Sequence, residues 1–128
     1  MRNVIAFALS LFVAGCSNPP PPGTEKEIFP DAPSPQGFTY VAGYGHKAAA
    51  FRTYTQSYEG ERRLDDTVKW YKEAWKANGW QLKSDSGGDP DVLTFINGNP
   101  GRDEKAVVTV ASAAKGLKID VKFNKKDD

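Results

Sequence analysis

This chain has few side chains with which to do chemistry. It holds one histidine, His46, and one cysteine, Cys16. A lone imidazole works as a base only beside an orienting partner and a nucleophile or metal, and nothing around His46 in the sequence marks such partners. His46 is expected to be a solvated loop residue. Gly43-Tyr44-Gly45-His46-Lys47-Ala48 has the form G-x-G-x-x-A, but a dinucleotide site sets that turn between a parallel strand and a crossover helix. Here Phe51-Arg52-Thr53-Tyr54-Thr55 resumes strand-like residues at once, so the glycines read as a hairpin turn. Asp85, Asp89 and Asp91 share a glycine-rich turn. Their spacing misses the acidic loop pattern that gives calcium its roughly six to eight oxygens, so a solvated hairpin tip is expected. Glu59-Gly60-Glu61 reads as the loop entering a helix, and no carboxylate pair shows a glycosidase arrangement. No catalytic residue, metal ligand set or cofactor is assigned.

The aromatics carry more. Arg52, Tyr54, Gln56 and Tyr58 alternate along one strand and share one face of it; Phe51, Thr53 and Thr55 share the other. With Phe51 turned toward the core, the Arg-Tyr-Gln-Tyr row falls on the open face of the sheet, beside Lys118, Asp120 and Lys122. Tyrosine and arginine are enriched where proteins meet. These four residues, with Trp70 at the margin of the helix stripe, form the candidate partner surface.

The elements that must hold these residues are legible. Leu64, Val68, Tyr71, Trp75 and Asn78 recur at helical spacing, widened by Trp70, Ala74 and Ala77, with Asp65, Asp66, Lys69, Lys72, Glu73 and Lys76 opposite. Asp65 or Asp66 is expected to cap the helix, and Asn78-Gly79 to end it with Trp80 folded back on Trp75. Leu117, Ile119, Val121 and Phe123 alternate with charged residues, as a half-buried strand does. Ala106–Ser112, Val92–Ile96 and Trp80–Ser84 read as further strands between turn signals, and Phe38–Tyr44 and Ala49–Tyr58 as a hairpin. The order is ββαββββ. Short connections imply an antiparallel sheet of five to six strands with one amphipathic helix on one face, a two-layer α+β domain. Its expected span is 37–124, with 125–128 a frayed tail.

Residues 1–36 have a different character. Met1-Arg2-Asn3 is a short positive start, and Val4–Val13 is apolar apart from Ser10. That run is far shorter than the roughly 20 residues of a spanning helix, and it fits the core of a secretion signal over 1–15. Val13-Ala14-Gly15-Cys16 resembles the lipobox of bacterial lipoproteins. The resemblance implies cleavage before Cys16 and lipidation of Cys16 by acyl chains, which become the membrane contact. Two or more chains hold firmly where one is marginal. Ser17 implies the outer membrane where the source has two membranes, since Asp at that position marks retention at the inner one. With Cys16 acylated no thiol remains for a disulfide. Seven of nine prolines fall in 17–36. At about 3.1 Å per residue in polyproline II this stretch, with Cys16, reads as a tether over 16–36.

Once Arg2 leaves with the leader, sixteen basic residues face sixteen acidic ones. No basic field draws nucleic acid, so none is expected as partner. The run Asp66-Thr67-Val68-Lys69-Trp70-Tyr71-Lys72-Glu73-Ala74-Trp75-Lys76-Ala77-Asn78-Gly79-Trp80-Gln81-Leu82 resembles a pattern in small bacterial envelope lipoproteins, where an aromatic-Tyr-Lys helix ends in Asn-Gly-Trp and enters a strand meander. That resemblance supports the fold. The expected function is a non-enzymatic, lipid-anchored binding or scaffolding module facing the periplasm or cell exterior and meeting another envelope protein. A small periplasmic hydrolase or an envelope enzyme inhibitor is the alternative.

Overall fold

The structure, a computed structural model, describes residues 31–127, the Lys47 side chain excepted. The leader, Cys16 and the chain up to residue 30 lie outside the described residues. Six strands and one helix follow in the order ββαββββ: β1 (Phe38–Lys47), β2 (Arg52–Gly60), α1 (Leu64–Ala77), β3 (Trp80–Asp85), β4 (Asp91–Asn97), β5 (Glu104–Ser112) and β6 (Leu117–Lys125). All pairings are antiparallel, and the sheet order is β1-β2-β6-β5-β4-β3. The last strand of the chain thus sits near the middle, joining the hairpin to the meander.

The helix forms where the apolar spacing demands it. Val68, Tyr71 and Trp75 are buried at intervals of three and four residues, with Thr67 buried beside Val68. Asp65 and Asp66 occupy its first turn, where their charge suits the positive end of the dipole. Neither is the cap. Arg63 holds that position in extended geometry and makes no side-chain cap bond. At the other end Gly79 takes φ +93°, and its N–H donates to Lys76 O at 3.1 Å. The Trp75 and Trp80 ring centroids then lie 4.9 Å apart. Trp75 also meets Phe95 at 4.9 Å and Phe123 at 6.0 Å, so aromatic rings fill the space between α1 and the sheet. The helix lies against β3 and β5.

A second element closes that layer. Residues 31–37 run along the helix side as a strap. Ala32 and Pro35 are buried, Trp80 Nε1 donates to Asp31 O at 2.8 Å, and Trp75 Nε1 donates to Pro33 O at 2.9 Å. Arg62 donates to Gln36 O at 3.2 Å before β1 begins. The folded unit therefore starts by Asp31, and a boundary at Gly37 falls too late. Proline removes a donor but keeps its carbonyl, and Pro33 O is the acceptor for Trp75. Such a segment makes no ladder of its own, yet offers acceptors to two buried indoles. The far end differs too. Strand β6 runs to Lys125, and Lys126 N–H donates to Asp103 O at 3.0 Å, so ordered chain continues beyond Asn124.

The first hairpin corrects another expectation. Gly43 and Gly45 lie inside β1, and the turn falls at Ala48–Phe51, closed by Ala48 N–H to Phe51 O at 2.8 Å. Gly45 has φ +149°, and a Cβ there would sit 2.0 Å from Thr53 O. The glycines permit close approach of two strands, which is the other use of glycine besides turning.

Candidate functional site

The Arg52, Tyr54, Gln56 and Tyr58 row does not face solvent. All four are buried, at 3 % exposure or less. Register explains it: Tyr54 pairs with Phe123, Gln56 with Val121 and Tyr58 with Ile119, all residues of the covered face. Thr55, Ser57 and Glu59 pair with Lys122, Asp120 and Lys118 on the open face instead. The candidate partner surface is therefore interior for these four residues. Phe51, the residue that suggested the opposite parity, precedes β2 and lies at the turn. Trp70 is half-buried at the core margin, its ring 5.0 Å from Tyr71 in a T-shaped contact.

The row instead supplies a buried ionic cluster at one end of the sheet. Arg52 Nε donates to Glu104 Oε2 at 2.6 Å, and its terminal nitrogens donate to Asp31 at 3.0 and 3.2 Å. Asn97 Nδ2 bridges Asp31 and Glu104 at 3.1 and 2.9 Å, and Arg102 reaches Glu104 at 2.8 Å. Asn99 holds Asn97 through its side chain (2.8 Å) and main chain (2.9 Å). Two guanidinium groups thus meet two carboxylates. Burial alone pushes the Glu104 and Asp31 carboxyls up, but the Arg52 hydrogen bonds and charge outweigh it and hold both below their ordinary values. The cluster clamps the strap to β2, β4 and β5. Its donors and acceptors are turned on one another, as a structural role requires.

Further along β2, Tyr58 Oη donates to Gln56 Oε1 at 3.0 Å. Tyr40 Oη and Gln56 Nε2 are buried and have no hydrogen-bond partner among the described residues. Burial first, and Tyr54 second, raise the Tyr40 phenol.

The aspartate turn is more ordered than a solvated tip. Gly87 N–H donates to Asp85 Oδ1 at 2.9 Å and to Asp91 Oδ1 at 3.1 Å, and Asp89 accepts from Ser112 Oγ at 2.6 Å and Ser112 N–H at 3.0 Å. Lys72 of α1 pairs with Asp85. Burial, then the neighbouring Asp85, raises Asp91, while Asp85 is lowered by its hydrogen bonds to Asp91 and Lys72. The three carboxylates hold backbone and lysine, and no group of three or more metal-ligating residues occurs among the described residues. His46 lies on edge strand β1, exposed, not in a loop. Glu59 and Glu61 flank a shallow cavity with Gly37, Thr39, Gly60 and Lys115 at the opposite end of the sheet from the clamp.

One concavity escaped the sequence reading. A groove of about 420 Å³ opens between α1 and edge strand β3, lined by Lys72, Lys76, Trp80, Gln81 and Leu82. Leu82 is 41 % exposed there, one of few large apolar side chains so placed. Its signal in the sequence was Leu82 set amid polar residues in β3, together with two lysines four apart on the helix. Compared with known proteins, the chain matches no family model, no curated protein and no solved structure.

Proposed function

We propose that this chain is a lipid-anchored protein of the bacterial cell envelope. Its folded domain is a non-enzymatic binding or scaffolding module held near a bilayer through Cys16. The observation that carries the reading is Val13-Ala14-Gly15-Cys16, placed after a short apolar run and holding the only cysteine. The clamp on Asp31 supports it: a domain hung from a tether needs a fixed point where the tether enters, and Arg52 and two indoles grip the chain there. The closed ionic cluster supports a structural interior in preference to a catalytic one.

Metabolic labelling with a radioactive fatty acid tests the anchor. The native chain is expected to take the label and to sediment with membranes, and Cys16→Ala to do neither. Label that persists in Cys16→Ala, or a mature protein with a free, unmodified amino terminus, overturns the proposal.

A further inference from the structure

Strand β3 is a sheet edge whose outward groups can be read from one hydrogen bond. Gly98 N–H donates to Gly79 O at 2.8 Å, which makes Gly79 and Gly98 a hydrogen-bonded pair. Pairs alternate along an antiparallel ladder. Gln81 therefore bonds with Ile96, while Trp80 and Leu82, opposite Asn97 and Phe95, turn their N–H and C=O groups away from β4. The same two residues send their side chains to the face that α1 covers. There they form the floor of the groove, and Lys72 and Lys76, one turn apart on α1, form its far wall.

A strand laid along this edge bonds to the main chain of Leu82 and Trp80, and every second side chain drops between Leu82 and the lysines. The floor selects an apolar side chain. The wall selects a carboxylate: Lys72 is already matched by Asp85, and Lys76 stands exposed in the last helical turn. The bulge between Leu82 and Ser84 ends the regular edge, so the added strand is short. The opposite edge differs: on the covered face of β1, Phe38 and Tyr40 pack on the core, and Gly43 and Gly45 bring no side chain to a partner.

We propose that the β3 edge docks an extended acidic–apolar segment of another envelope protein. The segment is taken up as a short added strand, with an apolar side chain on Leu82 and Trp80 and a carboxylate at Lys76. This names the partner class of the binding module and rests on that reading for its purpose; the geometry stands without it.

Display of random octapeptides against the mature chain, residues 16–128 with Cys16 unacylated, tests the site. Retained peptides are expected to alternate Asp or Glu with Leu, Ile, Val or Phe. The best of them, made synthetically, is expected to slow hydrogen exchange at the Trp80 and Leu82 amides. Its affinity is expected to fall about tenfold or more in Lys76→Glu and in Leu82→Lys, and to hold in Lys118→Glu on the open face. Both affected side chains are exposed, and thermal melts confirm that the variants fold. Failure to retain any peptide, retention of peptides lacking acidic residues, or binding indifferent to Lys76→Glu overturns the proposal. Lys76-dependent sedimentation with phosphatidylglycerol vesicles in place of peptide binding also overturns it, in favour of a bilayer surface. None of these outcomes depends on the fatty-acid label at Cys16, so the two proposals fail separately.

Discussion

Arg52 and Glu104 meet across an intervening strand. Arg52 is on β2 and Glu104 on β5, with β6 between them in the sheet, and the guanidinium passes 5.9 Å from the centre of the Phe123 ring. Glu104 is wholly buried and Arg52 nearly so. Removing one partner leaves a buried charge unanswered. Arg52→Met is therefore expected to destabilise the domain by about 3–5 kcal/mol in urea melts. Arg52→Met combined with Glu104→Gln and Asp31→Asn is expected to recover much of that loss, because no buried carboxylate is then stranded. A triple variant no more stable than Arg52→Met contradicts this account.

The same cluster sets an acid limit. Glu104 and Asp31 are held below the ordinary carboxylate range in the folded chain, so there the unfolded chain binds more protons. Their contribution is whole above about pH 5 and drains as pH falls through the folded values. Asp91 acts with the opposite sign. Its raised folded value favours the neutral acid, and the stability it lends below the ordinary range is lost as pH rises through that value. Asp91→Asn keeps an acceptor for Gly87 N–H while removing the charge. It is expected to stabilise the protein at pH 7.5 and to leave it little changed near pH 4. Equal effects at both pH values speak against the assignment.

Where the folded unit begins can be measured. A chain starting at residue 37 lacks Asp31 and the carbonyl partners of Trp75 and Trp80. Each buried N–H left without a partner costs about 1–3 kcal/mol. Compared with a chain starting at residue 31, the shorter one is expected to lose about 3–5 kcal/mol, or to fail to fold. Coincident melting curves contradict the strap as part of the core.

Gly45 tests the close approach of β1 and β2. A methyl group at Gly45 collides with Thr53 O and comes within 2.6 Å of Tyr54 Cα, both backbone atoms. Gly45→Ala is expected to cost about 2 kcal/mol or more and to raise amide exchange along β1. Gly87→Ala meets no atom within 4 Å, though its φ of +73° still carries strain, so it is expected to cost less.

Periodicity alone revealed the helix and the meander. Val68, Tyr71 and Trp75 recur at a spacing that only a helix turns to one side, and Leu117, Ile119, Val121 and Phe123 leave no doubt of parity. Strand β2 has no such row. One parity holds Arg, Tyr, Gln and Tyr, the other Thr, Thr and Ser, and neither is apolar. Which one is buried depends on pairing with β6, more than sixty residues later, and on Glu104 answering Arg52. Those are facts of tertiary structure that no local pattern carries. The proline-rich strap was hidden for a related reason: its place depends on indoles that lie over forty residues downstream. The lysine groove arises only when α1 and β3 are set side by side.

The placement of β6 has a consequence for how the molecule is made. Without it, the β1–β2 hairpin and the β3–β4–β5 meander are two separate ladders with no shared border. The final nine-residue strand is the keystone. Until β6 has left the ribosome the sheet has no middle, and the earlier strands stay as two unjoined ladders. Contacts so distant in sequence form slowly. Cutting the chain just before Leu117 therefore removes far more than one strand.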